Sequence, residues 1–424
     1  MTTRPQTLAQ KLVARAAGVD TVEPGEIVTC RVDLAMMHDS GGPRRVAPML
    51  EKLGAKVWDP DRIVVVTDHY VPAYDPDSRA IVQIARDWVR DAGITRFHDM
   101  QGICHVVLPQ KGHLRPGLFA VGGDSHSPTG GAFGAYMFGI GATEMLGVLV
   151  TGEIWLKVPH TLRMQWDGRL APGVSAKDMM LHLCGRFGMD GGQYQAVEYA
   201  GEAVRALSMQ ERMTLSNMTA ELGGQAGLVA PDAVTADWLA GVGVHDIETV
   251  RWQTDVGATL LADHRFDASA LAPQVAAPHS PAMAQAVDAF GATSIDIAYI
   301  GACTGAKLDD MRMAASVLRD RRVAKGVRLM LAPASAADQA QAAQEGTLAA
   351  LVDAGAELLP NACGACAGYG ANVFGDDTVA ISTTARNFKG RMGSDSSKVY
   401  LASPYTVAAS AIAGRIADAR EMLQ

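Results

Sequence analysis

The sequence predicts an α/β protein with mainly parallel sheets. Three observations carry this: short apolar, β-branched runs recur, helical segments lie between them, and reactive polar residues follow the runs directly. Arg62-Ile63-Val64-Val65-Val66 is one such run and ends at Thr67-Asp68-His69. Apolar residues at consecutive positions, without alternation, fit a strand buried on both faces. Ser78 to Asp91 follows, with Ile81, Ile84, Ala85 and Val89 spaced as one helix face. Gly117-Leu118-Phe119-Ala120-Val121 repeats the strand pattern and runs into Gly122-Gly123-Asp124-Ser125-His126. Ile295 to Ile300 does the same before Gly301-Ala302-Cys303. Strands alternating with helices give parallel sheets. Ligands of such sheets bind beyond the carboxyl ends of the strands, where these runs end in Asp-His, Asp-Ser-His or Cys-Thr.

Other segments fill in the organisation. Thr7 to Gly18 reads as a first helix with Leu8, Leu12 and Val13 facing a core, although Lys11 and Arg15 without acids also fit a transit peptide. Leu162 to Trp166 alternates like a strand, and the Asp167-Gly168 turn follows it, so a second unit opens near here. The Ala/Pro-rich stretch Ala272 to Met283 reads as a linker before a third unit. The expected units are 1–160, 161–280 and 281–424.

Composition narrows the function. The 424 residues carry 37 Lys+Arg against 45 Asp+Glu, a net charge of −8, and 48% are hydrophobic. That balance disfavours a protein that tracks phosphates. The longest apolar stretch, Gly131 to Leu156, is broken by Glu144 and Glu153, and a spanning helix needs roughly 20 apolar residues. No secretory signal is visible, so the expectation is a cytoplasmic enzyme. Six cysteines are too sparse for a disulfide scaffold and need individual explanation. Cys30, Cys104 and Cys184 lie in apolar settings and read as core. Cys363 and Cys366 form a C-x-x-C, with Cys303 at a strand end sixty residues earlier. Spacing alone leaves open an iron–sulfur centre, a zinc or redox site, or buried structural thiols.

Several motifs taken together are more specific. Gly123-Asp124-Ser125-His126-Ser127, Gly130-Gly131-Ala132-Phe133-Gly134-Ala135 and Gly139-Ile140-Gly141-Ala142-Thr143-Glu144 resemble the signature of the aconitase superfamily. The likeness is nearest to its 3-isopropylmalate dehydratase and homoaconitase-like large subunits. Thr67-Asp68-His69, Gly102 to Pro109, Glu211 to Met218, Cys303-Thr304, the Cys363/Cys366 pair and Arg386-Asn387-Phe388-Lys389-Gly390-Arg391 follow in family order. The resemblance spans about residues 8 to 415.

The resemblance implies three α/β/α domains around a 4Fe–4S cluster held by Cys303, Cys363 and Cys366, with one iron left open as a Lewis acid. It implies catalytic roles for Asp68, His69, His105, Asp124, His126 and Glu221. His69 would protonate the departing hydroxyl while Asp68 orients it, and His126 with Glu221 would bind the iron-held water. Arg386 and Arg391 would clamp substrate carboxylates, since a guanidinium grips a carboxylate bidentately. Ser125, Asn217, His38 and Asp39 would complete the substrate side. The family's fourth, swivelling domain carries a serine base, and in the dehydratase branch it is a separate small subunit. No serine here maps onto that base, and Ser394, Ser396 and Ser397 read as a polar turn. The expectation is therefore a large subunit that is inactive without its small-subunit partner.

Three departures touch the substrate side. Ala385 stands where relatives carry Asn, Gly305 where Cys-Thr-Asn is common, and Asn361-Ala362 where Gly or Pro usually precedes the C-x-x-C. The expected activity is dehydration or hydration of a malate-type hydroxy-dicarboxylate, with or without isomerisation. 3-Isopropylmalate, homocitrate, 2-methylmalate and 2,3-dimethylmalate all remain open as substrates. An iron-sensing RNA-binding protein is the alternative from another class, and the net charge disfavours it. A cluster-free or zinc-containing relative is the third reading.

Overall fold

A capping box starts the first helix of the computed structural model, which describes residues 4–423. The Thr7 hydroxyl accepts the Gln10 N–H and the Gln10 side chain accepts the Thr7 N–H, so the helix Leu8–Ala17 begins with its end groups satisfied.

Three larger sheets follow along the chain, besides a two-stranded antiparallel pair of Ile27–Arg31 with Glu153–Lys157. The first is fully parallel, with the spatial order Arg96–Asp99, Ile63–Thr67, Leu34–His38, Phe119–Gly122 and Tyr136–Gly139. Its central strands are buried on both faces, as their unbroken apolar runs require. Ile63, Val65, Ala35 and Met37 enter one core, beside the helix Leu8–Ala17. Val64, Val66, Leu34 and Met36 enter the other, beside the helix Cys104–Gln110.

The second sheet is also parallel, in the order Ala226–Val229, Ala196–Ala200, Thr161–Asp167 and Ala262–Asp267. The third has seven strands, of which Lys398–Ala402, Val379–Ser382, Ile297–Ile300, Arg328–Leu331 and Ala356–Leu358 run parallel. On one of its faces Ala298, Ile300, Leu329 and Leu331 pack with the helices Leu308–Leu318 and Pro404–Ala413. Tyr299 and Met330 alternate to the other face.

The segment expected to be a linker departs from the sequence reading. Gln274–Ala276 is a fully buried strand, paired antiparallel with both Lys398–Ala402 and Ala284–Ala286. The third sheet therefore takes one strand, next to its edge strand Ala284–Ala286, from before residue 281. A three-residue strand between Ala and Pro residues is too short for its period to be read. Among the described residues no helix is long and apolar enough to cross a membrane.

The carboxyl ends of the first and third sheets carry the polar residues. His38, Asp68, Asp124, Cys303 and the segment Thr383 to Arg391 each lie at or just past a strand end.

Candidate active site

Asp68 and His69 follow the strand Ile63–Thr67 directly. The turn is held by Asp39, whose carboxylate accepts the N–H groups of Asp68, His69 and Tyr70 at 3.3, 3.0 and 2.8 Å. Asp68 Oδ1 lies 2.6 Å from His69 Nδ1, and Asp68 Oδ2 accepts the Cys104 N–H at 2.7 Å. Burial alone would lower the His69 pKa, but the charge and hydrogen bond of Asp68 overcome it and raise it to about 10. Burial likewise opposes Asp68, which the His69 charge holds down at about 2. The pair is an imidazolium fixed on a carboxylate, with Nε2–H left as its outward proton.

A second group forms beyond the strand Phe119–Gly122. Asp124 Oδ1 accepts from His105 Nε2 at 2.7 Å and from the His126 N–H at 2.8 Å. Burial would raise Asp124, but the two histidines hold it well below the carboxylate range. Glu221 is 0% exposed, and its Oε1 accepts from His126 Nε2 at 3.0 Å and Arg386 Nε at 2.6 Å. Those two cations outweigh burial and hold Glu221 at about 2, while Glu221 in turn raises His126 against its burial. Arg386 Nη1 also donates to Ser125 Oγ at 3.0 Å. Asp124, Ser125, Tyr194 and Arg386 line a cleft of about 390 Å³.

The cysteines lie alongside. Cys303 and Cys366 are buried and Cys363 is half-buried. The Cys363 N–H donates to the Asp68 carbonyl at 2.8 Å, so the C-x-x-C is tied to the histidine turn. Ala302 takes a left-handed φ of 70° to turn the chain into Cys303, a conformation that costs a non-glycine residue about 1–3 kcal/mol. The hydrogen bond from Cys363 and the Arg391 charge pull Cys366 down, whereas burial pushes Cys303 up to about 12. Thiols crowded this way need a cationic centre before all of them ionise.

The donor set discriminates between centres. Thiols sharing one zinc ion lie roughly 3.8 Å apart, given Zn–S bonds of about 2.3 Å. Among the described residues, the ligand groups that converge within 4.8 Å are His38/Asp39/Asp68/His69 and His105/Asp124/His126, and the three thiols are not such a group. Three thiols that do not converge on one point are not set for a single zinc ion, whereas a centre of several metals takes one thiolate on each of three. Asn217 Oδ1, Glu221 Oε2 and Arg391 Nε are buried without partners. Orphaned groups of this kind mark where a further ligand belongs.

Four of the expected residues have partners that the sequence does not show. Asp39 is 0% exposed and spends its carboxylate on three backbone N–H groups, so it shapes the turn. His38 is buried, accepts the Ser40 and Gly41 N–H groups at Nδ1, and stacks on His69. Asn217 Nδ2 donates to Cys303 Sγ at 3.2 Å and Thr129 Oγ1 at 2.8 Å, which puts it on the sulfur side. Arg391 lies against Cys366 and also within the field of Glu221, the carboxylate that holds Arg386. Ser394 and Ser397 do form a turn, the Ser397 hydroxyl donating to the Ser394 carbonyl at 2.7 Å. Cys30, Cys104 and Cys184 are fully buried core.

The sequence reading missed two lysines. Lys307 Nζ donates to the Cys303 carbonyl at 3.1 Å, and Lys177 Nζ to Thr304 Oγ1 at 3.3 Å. Gly305 also acquires a reason: a Cβ there would lie 2.1 Å from Thr383 Cβ, so the side chain of Thr383 occupies the space an asparagine would need.

Comparison with known proteins settles the family. The model described as "Aconitase family (aconitate hydratase)" matches residues 10–414. The chain belongs to the aconitase family. A Methanothermobacter thermautotrophicus protein named "Probable 3-isopropylmalate dehydratase large subunit" is 43% identical over 414 residues, covering 97% of this chain and 98% of that protein. A Methanopyrus kandleri "3-isopropylmalate dehydratase large subunit 1" is 43% identical over 423 residues, covering 99% and 100%. A "Probable methanogen homoaconitase large subunit" from M. thermautotrophicus is 41% identical over 414 residues, covering 96% of each. This aconitase-family chain is thus a hydro-lyase of the dehydratase kind. The family implies a 4Fe–4S cluster, which the sulfur donors described above fit.

Proposed function

We propose that this chain is the large, catalytic subunit of a 4Fe–4S hydro-lyase acting on a malate-type hydroxy-dicarboxylate, with 3-isopropylmalate as the leading candidate. One observation carries the reading: His38, stacked on His69 and 3.8 Å from Asp124, joins the Asp68/His69 pair to the His105/Asp124/His126/Glu221 group that holds Arg386, and the C-x-x-C is bonded to Asp68. Cys303, Cys363 and Cys366 would hold the cluster, which would supply a Lewis acid towards the substrate hydroxyl.

The protein's own groups do the rest. His69, kept protonated by Asp68, donates its Nε2 proton to the departing hydroxyl, which leaves as water. Asp124 holds His105 and the His126 backbone in place, and Glu221 keeps His126 charged. Arg386, its Nε anchored on Glu221 and one Nη on Ser125, presents the remaining edge of its guanidinium to a substrate carboxylate. Arg391 stabilises the Cys363/Cys366 thiolates.

The abstracted carbon-bound proton needs a base. We assign it to a serine on the swivelling domain of a small subunit, because relatives matched over nearly their full length are named large subunits. The complex is placed in the cytoplasm. Homocitrate-type substrates form a second reading, favoured by the 41% identical relative named as a homoaconitase.

The test is anaerobic co-expression with the small subunit and a screen of hydroxy-dicarboxylates for alkene absorbance. Turnover of a malate-type diacid by the complex, with none by the large chain alone, is the expected result. A chain active by itself, or a complex inert towards every such diacid, overturns the reading.

A further inference from the structure

Lys177 is the second residue of the helix Ala176–Phe187, where the positive end of the helix dipole disfavours a cation. It is also 1% exposed. Among the described residues no carboxylate forms an ion pair with it. Its helix neighbour Asp178 bonds to Ser175 and to the Gln274 N–H, and the nearby Glu221 is committed to His126 and Arg386.

The ammonium is nonetheless fully used as a donor. Nζ donates to Thr384 O at 2.6 Å, Thr383 O at 3.0 Å and Thr304 Oγ1 at 3.3 Å. Three acceptors match the three hydrogens of an ammonium, whereas a neutral amine has two. Thr304 follows Cys303, while Thr383 and Thr384 lead into Arg386, so one side chain joins the cysteine turn to the arginine loop. Thr304 Oγ1 adds a bond to Thr383 O at 2.9 Å.

Lys307, on the other side of the same turn, makes the contrast. Its Nζ reaches the Cys303 carbonyl and Thr214 Oγ1, but it also bonds Asp310 at 2.5 Å. The Lys307 charge is balanced within the chain and the Lys177 charge is not. A buried charge without a counter-charge is costly, and burial works to strip its proton.

We propose that Lys177 is a positioning residue whose ammonium is the buried counter-charge to the thiolate centre of Cys303, Cys363 and Cys366. It also pins the Cys303-Thr304 turn to the loop that carries Arg386. This rests on the reading that those cysteines hold the cluster, whose three thiolates leave net negative charge in the pocket. In the cluster-free chain Lys177 is an electrostatic burden, and in the loaded chain it is a partner.

The test compares wild type with Lys177→Met, which keeps length and loses charge, and Lys177→Gln, which keeps a donor and loses charge. Each is measured cluster-free and after anaerobic reconstitution, by melting temperature, rate of iron release to a chelator, and midpoint potential of the cluster. Both variants are expected to lower the melting temperature more in the loaded chain than in the cluster-free one, where removing the uncompensated charge offsets part of the lost hydrogen bonding. Both are expected to release iron about tenfold faster, the scale of losing a group that supports a metal ligand, and to show a lower potential.

Equal melting shifts in both forms, or a larger loss in the cluster-free chain, assign Lys177 a purely structural role and overturn the proposal. So does wild-type behaviour of Lys177→Gln. A wild-type chain that takes up no cluster overturns the cysteine reading as well, so the two failures are told apart.

Discussion

His38 and His69 stack with ring centroids 4.1 Å apart and planes 15° from parallel, yet they hold opposite protonation states. His38 accepts two backbone N–H groups at Nδ1 and faces the Gly123 carbonyl with Nε2 at 3.2 Å. That pattern fixes the neutral Nε2–H tautomer. Burial first, and the His69 charge next, push His38 down to about 4, while Asp68 holds His69 at about 10. A flat neutral ring therefore backs the charged one and sets its direction without competing for its proton.

Replacing Asp68 tests this arrangement. The acid form of His69 is the active one, so the rate falls as pH rises through its pKa, which Asp68 keeps at about 10. In Asp68→Asn, burial remains and the largest raising charge is gone, leaving only Asp124 and Asp39 to support the imidazolium, so the alkaline limb of kcat/KM should move to lower pH. At pH 8 the expected loss is about 10²–10⁴-fold, the usual worth of a positioned general acid. The check is a pH–rate profile; an unmoved alkaline limb refutes the role.

Arg386→Lys retains the charge and loses the fork. A single ammonium cannot bond Glu221 and Ser125 and still meet a carboxylate as the guanidinium does. KM should rise by about tenfold or more, and Glu221, 0% exposed, loses part of its compensation. Steady-state kinetics and a melting curve of the same variant measure the two effects separately.

Asn217 touches sulfur directly. Asn217→Leu removes the Nδ2 donor 3.2 Å from Cys303 Sγ without changing the side-chain size greatly. Iron retention should weaken by about 10–100-fold, as for other groups that support metal ligands. Iron and sulfide analysis after chelator challenge decides it.

Gly305→Asn, which restores the residue common in relatives, should disrupt this chain. The new Cβ would lie 2.1 Å from Thr383 Cβ, and overpacking of this kind costs about 1–3 kcal/mol. Thr383→Gly in the same chain should recover most of the loss. A double-mutant cycle in melting temperature measures the coupling.

Much of this was legible because chemistry follows strands in a parallel sheet. Asp68, His69, Asp124, His126 and Cys303 directly succeed apolar runs that could be read from the sequence. Glu221 and Asn217 lie at or just beyond the end of a mostly buried helix, Met209–Asn217, and only the resemblance marks them. Burial is what the sequence conceals: an Asp beside a His reads as reactive, and nothing local says that Asp39 is saturated by backbone. Lys177 is hidden for the same reason, since a lysine in a first helical turn reads as surface. The strand Gln274–Ala276 is invisible because its partner, Lys398–Ala402, lies far along the chain.

The bond from Arg386 to Ser125 joins residues 261 positions apart, and Glu221 meets Arg386 across 165. A ribosome therefore releases the histidines and carboxylates of the first sheet long before the arginine and C-x-x-C that complete them. Once made, Glu221 waits 165 residues for its guanidinium, and Cys303 waits 60 for the next of its companion thiols. Because domains tend to fold as they emerge, cofactor loading belongs after release of the carboxyl-terminal segment. A premature stop before the third sheet is complete would leave charged groups exposed without partners, which quality control can recognise.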